Sequence, residues 1–300
     1  MASSDPTSDY LIALSETGDR EQLSTALQQP ATVKVALSTE SILVDAQTGV
    51  RVAELNLKRM VEAAARSGHA DTVETLLGFS QQHSVAVSDV VTMDTIGAAL
   101  NENPLEVLLK FQAVDPDVFS RRLHIGGDLL SASSHGGPNT EDLPRSKYLG
   151  LVQHLLDAGF DPNPNAKGAS RRRKLEYPLY SACWQASYEI VECFLAHGAV
   201  VQGSRAMRSA GYNGRIDLLE LLLKYGGDVN EAAEEEDIDG PPGTPLHIAV
   251  AEGKEDVLRW LLAHGADVTV KNCEGKVAKD VLGEDGDDVI LGLLGNAHAV

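Results

Sequence analysis

The chain has 300 residues, with 25 Lys plus Arg against 44 Asp plus Glu, and a formal net charge of −19. Such an acidic surplus argues against sequence-independent nucleic-acid binding, which needs cations to displace phosphate counterions, and against an anionic membrane surface as partner. Hydrophobic residues make up 43% and aromatic residues only 5%, so a core built mainly from Ala, Leu and Val in close-packed helices is expected.

The three cysteines, Cys183, Cys193 and Cys273, show no paired spacing, which fits a reducing compartment without a disulfide framework. Residues 1–10 lack the basic and apolar segments of a signal peptide, and no apolar run reaches bilayer length. A soluble, cytoplasmic protein is expected.

Apolar residues and glycines recur along the chain. Leu11, Leu14, Gly18, Leu23 and Leu27 make a first unit, followed by a long stretch, 28–57. Val61, Ala64, Gly68, His69, Val73, Leu76 and Leu77 make a second. Residues 93–114 are expected to hold another, which Leu105, Leu108 and Leu109 fit poorly. Leu129 and Ala132, then Leu151, Leu155 and Leu156 before Gly159-Phe160-Asp161-Pro162-Asn163, form a divergent copy interrupted by a loop at 136–147. Tyr177-Pro178-Leu179, Ala182, Ala186, Ile190, Phe194-Leu195 and Gly198-Ala199 form the next. Met207, Ala210, Gly214, Leu218, Leu222-Leu223, Gly226-Gly227-Asp228 and Asn230 follow on the same template. The cleanest unit starts at Gly243-Thr244-Pro245-Leu246-His247-Ile248-Ala249 and runs through Gly253, Val257-Leu258 and Leu261-Leu262 to Gly265-Ala266-Asp267-Val268. A degenerate unit opening at Gly275-Lys276 ends in a helix carrying Val289, Leu291, Leu293 and Leu294.

Each part of the cleanest unit has a mechanical reading. Thr244 suits an N-cap and Pro245 the first helical position. Gly253 and Gly265 suit the left-handed turns that end two helices. Leu246 and Ala249 share a face of the first helix, and Val257, Leu258, Leu261 and Leu262 form the apolar stripe of the second. This pattern resembles the ankyrin repeat: the Thr-Pro-Leu-His start, the mid-unit Gly, the paired Leu and the closing Gly-Ala-Asp.

The resemblance implies an all-α ankyrin-repeat solenoid of about seven to eight helix-turn-helix units with variable finger loops. It is expected to fill residues 1–300 as a single array. Residues 1–57 read as a divergent N-terminal cap unit with a long insertion, 58–126 as moderately divergent units, 127–282 as clearer repeats and 283–300 as a C-terminal cap. Irregular spacing implies fingers of unequal length at 28–57, 78–92, 162–176 and 230–243, where loops or short extra helices replace the regular hairpin.

Signatures of chemistry are absent from the sequence. It contains no phosphate-binding Gly-rich loop ending in Lys-Ser/Thr, no His-Glu-x-x-His, no Cys-x-x-Cys and no Gly-x-Ser-x-Gly. No catalytic residue, cofactor or metal site is therefore assigned. Ser133, Ser134 and His135 are adjacent, but neighbouring residues on a helix end point apart. His247, His197 and His264 sit at repeated positions and read as structural. Cys183 aligns with the core position of Val250 and reads as a buried, inert thiol.

Recognition has a clearer signature. The resemblance implies that the two residues before each mid-unit Gly, or Ala186 in its place, project from the inner helix into the groove and have no packing duty. These are Arg66 and Ser67, Ser134 and His135, Trp184 and Gln185, Tyr212 and Asn213, and Ala251 and Glu252. Trp184 and Tyr212 occupy one position in adjacent units and suit binding anchors. Gln185, Asn213, His135 and Glu252 supply polar support. The expected partner is another protein in the concave groove. A small-molecule pocket or an unusual active site there, drawing on His135, Asp128 and Tyr180, is the alternative. The run Arg171-Arg172-Arg173-Lys174 resembles a nuclear-import patch, making the nucleus a second expected location. Glu231, Glu234, Glu235, Glu236, Asp237 and Asp239 crowd the finger before Thr244.

Overall fold

A computed structural model of the chain describes residues 7–45, 50–102, 104–120, 129–134, 145–163, 178–232, 242–282 and 288–297. The chain divides into two compact units, one of residues 1–133 and 137–151, the other of residues 134–136 and 152–300.

The first unit opens with α1 (Ser8–Thr17) and α2 (Arg20–Ala26). The Thr7 hydroxyl caps α1 by accepting the Tyr10 amide at 3.3 Å. There follow α3 (Pro30–Ala36), strands β1 (Thr39–Asp45) and β2 (Val50–Leu55), α4 (Asn56–Arg66) and α5 (Ala70–Gln82). Next come α6 (Val87–Val90), α7 (Met93–Ala99), α8 (Pro104–Gln112) and α9 (Leu129–Ser134), whose last residue belongs to the second unit. A 3-10 turn, Arg145–Tyr148, leads into α10 (Leu149–Asp157), and the division between the units falls within this helix.

Helix pairs repeat within the first unit: α1 lies against α4 and α4 against α7, while α2 lies against α5 and α5 against α8. The 93–114 unit expected from sequence is present as the α7–α8 pair, with Leu108 and Phe111 fully buried. The Tyr148 hydroxyl donates to the Leu100 carbonyl, tying the 3-10 turn to the end of α7.

The stretch 28–57 departs from an all-α fold. It holds the helix α3 and an antiparallel hairpin in which Ile42 faces Val52. Alternating β-branched residues, Val50 and Val52 on one strand and Ile42 and Val44 on the other, favour a pleated ribbon over a helix. A side-chain network at its base holds the hairpin to the helices. Buried Asn56 donates to the Val35 carbonyl at 3.1 Å, and Arg59 pairs with Glu40 at 2.9 Å.

The second unit contains α11 (Pro178–Gln185), α12 (Tyr188–Ala196), α13 (Ala206–Tyr212), α14 (Ile216–Lys224), α15 (Pro245–Ala251) and α16 (Glu255–Ala263). A 3-10 turn, Ala278–Val281, and α17 (Asp288–Ala297) complete it. Inner elements stack in order: α11 on α13, α13 on α15, and α15 on the 3-10 turn. Outer helices follow, with α12 against α14 and α16 against α17. Their facing surfaces carry the apolar residues picked out in the sequence, among them Ile190, Phe194, Leu218, Leu222, Leu258 and Leu261, all fully buried. On α17 the buried pair is Ile290 and Leu294, one turn apart, whereas Val289 and Leu291 of the expected closing stripe are exposed.

Two asparagines tie the fingers together in the same way. The Asn163 side chain donates to the Gly198 carbonyl at 2.9 Å and accepts the Val200 amide at 2.8 Å. Asn230 does the same two repeats on, with the Gly265 carbonyl at 3.0 Å and the Asp267 amide at 2.8 Å. Gln202 stands at the corresponding place between them, and there the Glu231 carboxylate accepts the Gly203 amide at 2.6 Å.

Candidate functional site

Three inner helices of the second unit carry most of the residues singled out for recognition, while Arg66 and Ser67 lie at the end of α4 in the first unit. Trp184, Tyr212 and Ala251 are each the seventh residue of α11, α13 and α15, and Gln185, Asn213 and Glu252 each come next. The equivalence has a physical basis in the third residue of the last two helices. Buried His247 in α15 holds the following finger through Nε2, 3.1 Å from the Lys276 carbonyl. Buried Arg208 in α13 does the same through Nη1, 2.9 Å from the Gly243 carbonyl. An arginine thus replaces the repeat's histidine with a longer reach to the same kind of acceptor.

This scaffolding brings the two expected anchors together. The rings of Trp184 and Tyr212 stack with centroids 4.7 Å apart and planes inclined by 22°. Tyr180, one turn before Trp184 on α11, adds a third ring at 6.4 Å and 26°. All three rings are half-buried. Repeat position alone makes Trp184 and Tyr212 separate prongs one repeat apart; they form a single strip because each ring leans on the other. Such a pair contributes about 0.5–1.5 kcal/mol beyond simple burial. Tyr180 is not among the anchors expected from sequence, although its i, i+4 spacing from Trp184 is the usual signal for side chains meeting on a helix face.

The polar positions differ in their freedom. Gln185 and Glu252 are exposed. The Asn213 amide donates to the Ser209 carbonyl of its own helix at 2.9 Å. Ser209 in turn donates to the Tyr180 carbonyl at 3.3 Å, joining α13 to α11 beneath the rings. His135 and Asp128 lie outside the described residues, as do the basic run 171–174 and the acidic residues 234–239.

His197, His264, Cys183 and Cys193 have structural surroundings. His197 and His264 each close an outer helix, with Nδ1 donating to the Cys193 carbonyl at 2.8 Å and the Trp260 carbonyl at 2.7 Å. His197 Nε2 also meets the Asp157 carboxylate at 3.0 Å. With an acceptor at both ring nitrogens, the charged imidazolium is favoured and the pKa is raised, first by the Cys193 carbonyl and then by Asp157. Burial pushes the Cys183 thiol far up and the half-buried Cys193 thiol up as well, the reverse of what a nucleophile needs. Among the described residues, no group of His, Cys, Asp and Glu is arranged to hold a metal ion. No described helix is long and apolar enough to cross a membrane.

His247 makes a measurable prediction. Its Nε2–H donates to Lys276, so Nδ1 is the acceptor for the Thr244 amide at 3.2 Å and the Thr244 hydroxyl at 2.9 Å. Protonating Nδ1 takes the acceptor from the Thr244 amide and forces the Thr244 hydroxyl to turn and accept instead, and burial holds the pKa below the ordinary histidine value. The unfolded chain therefore binds the extra proton more readily, and stability falls as pH drops below roughly 6.5. Urea midpoints followed from about pH 7.5 to about pH 5 should fall for the wild type. His247→Gln should lose most of that slope, while His197, titrating with the opposite sign at an exposed site, leaves a small residual. Parallel slopes in the two proteins would contradict this assignment.

Comparison with known proteins agrees with the geometry. The family model described as "Ankyrin repeats (3 copies)" matches residues 145–233, and that described as "Ankyrin repeat" matches residues 243–273. Protein phosphatase 1 regulatory subunit 27 of Mus musculus is 33% identical over 88 residues, covering 29% of this chain and 53% of the relative. Protein phosphatase 1 regulatory subunit 12A of Mus musculus is 39% identical over 92 residues, 31% of this chain and 8% of the relative. Human ankyrin repeat and SOCS box protein 16 is 29% identical over 136 residues, 44% of this chain and 27% of the relative. The chain thus spans about half the length of regulatory subunit 27 and smaller shares of the others. Motif, stacked helix pairs and family models converge on residues 145–233 and 243–273, which carry ankyrin repeats.

Proposed function

We propose that the chain is a protein-binding adaptor or regulatory module that holds its partner along the inner-helix face of the second unit. The half-buried strip of Tyr180, Trp184 and Tyr212 carries this reading. Aromatic residues are scarce in this chain, and three are gathered where stacking of the repeats does not call for rings. Large, rigid, half-exposed rings are the commonest energetic anchors of protein interfaces. Two relatives carry names that make them regulatory subunits of protein phosphatase 1, so that phosphatase is the first partner to test.

The experiment compares the full chain with the Trp184→Ala/Tyr212→Ala double variant. Both are used to capture partners from native lysate, and any specific partner, the phosphatase first, is then titrated as purified protein. Affinity should fall by about 100-fold in the double variant, the loss typical of two central anchors. Circular dichroism should stay at the wild-type level, because both side chains lie at the solvent edge of their helices. A partner bound equally by both proteins would remove the strip from the interface.

A further inference from the structure

The aromatic strip stops abruptly. Along α11, α13 and α15 the seventh residue reads Trp184, Tyr212, Ala251. Tyr212 leans on Trp184, and no other ring among the described residues stacks against it. Where a third ring would extend the ladder there is only the exposed methyl group of Ala251. Helix α15 nonetheless packs directly against α13. On the side of Tyr212 turned away from Trp184, the next step of the ladder therefore carries an alanine in place of a ring.

The charges on the helices around this step are few, and Arg215, the cation that follows Tyr212 and Asn213, is paired with Asp217 at 2.7 Å. Helices α11 and α15 contain no Lys, Arg, Asp or Glu, and the single charged residue of α13, Arg208, is buried and turned to the Gly243 carbonyl. At the rim stands Glu252, exposed and in no ion pair among the described residues. Lys254 is half-buried and stands at the N-cap position of the next helix. The chain as a whole carries a net charge of −19, which draws cationic partners toward it.

We propose that the vacant step receives an arginine side chain of a partner segment, its guanidinium stacked on Tyr212 above Ala251 and paired with Glu252. The inference rests on the protein-binding reading above and names the chemistry of that partner. A guanidinium is planar and weakly hydrated, stacks on aromatic faces and meets a carboxylate with two parallel bonds. A lysine ammonium is a strongly hydrated point charge without a plane to stack. An aromatic side chain stacks but leaves Glu252 without use.

The test titrates the full-length protein with acetyl-Gly-Gly-Arg-Gly-Gly-amide and follows backbone amide resonances by NMR. The amides of Tyr212, Ala251 and Glu252 should shift together. The same peptide with citrulline, planar but uncharged, should bind about tenfold more weakly, and the lysine peptide several-fold more weakly. Ala251→Phe fills the step with the protein's own ring and should weaken arginine binding about tenfold. Glu252→Gln should weaken it about fivefold without changing the urea midpoint. Should Ala251→Phe disturb folding, the citrulline peptide and Glu252→Gln decide alone. Equal binding of arginine and citrulline peptides, or shifts that bypass residues 212 and 251–252, overturns the proposal. If Trp184→Ala/Tyr212→Ala still abolishes partner capture in that case, the strip remains an interface for a partner of other chemistry; if capture also survives, both readings fall.

Discussion

Gly243→Ala is expected to destabilise the second unit by at least about 3 kcal/mol, visible as a large drop in its urea midpoint. Gly243 sits at φ +124°, a conformation closed to L-residues, and a Cβ there would lie 2.7 Å from the His247 ring and 3.0 Å from the Asn272 Cβ. The ring cannot move aside freely. It is fully buried and bonded to Thr244 on one side and to the Lys276 carbonyl on the other. The Gly243 carbonyl is also the acceptor for Arg208, so a shift of this backbone loosens two junctions at once. Gly265→Ala is the internal comparison. Gly265 has φ +87° but nothing within 4 Å of an added Cβ, so only the conformational cost of about 1 kcal/mol applies. Similar midpoints for the two variants would show that the His247 contact carries no energy.

Phe194→Ala should cost about 3–5 kcal/mol, the range for deleting a fully buried ring. Phe194 lies on α12 with no exposed surface, in an outer layer made mostly of Leu, Ile and Val. Helix α12 is nine residues long, too short to hold its shape without tertiary support. The loss should therefore appear as unfolding of neighbouring repeats and not only as a local cavity. Phe194→Leu keeps most of the volume and should cost less than about 1.5 kcal/mol. Urea unfolding of both variants, followed by circular dichroism, separates the cavity cost from a general intolerance of change at this position.

Much of the second unit is legible in the order of its residues. Thr244, Pro245 and His247 prescribe the start of α15, and Leu258 and Leu261 its packing partner, because caps and apolar stripes act over a few residues. The ladder of asparagines is half visible: Asn163 and Asn230 stand at equivalent places, but their acceptors, Gly198 and Gly265, lie 35 residues away and belong to another repeat. The hairpin at 39–55 escapes a search for helical units, which weights i, i+3 and i+4 contacts, whereas the strands' alternation has period two. On α17 Leu294 of the expected stripe is buried, but its first half falls one residue from its expected place. Val289, Ile290 and Leu291 are all apolar, and only the neighbouring α16 decides that Ile290 faces inward.

The candidate site divides in the same way. The positions of Trp184, Tyr212 and Glu252 follow from counting along each repeat, since repeats with the same local signals place the same residue on the same face. That the two rings close on each other, that Tyr180 joins them, and that Ala251 leaves an open step depends on how α11, α13 and α15 sit side by side. The sequence by itself determined the helix pairs of the second unit, their caps and the equivalent repeat positions of Trp184, Tyr212 and Ala251, because these are set by interactions within a repeat. The contacts between side chains of different repeats were decided by tertiary structure alone, because they depend on the spacing and lean of neighbouring helices, which no single repeat encodes.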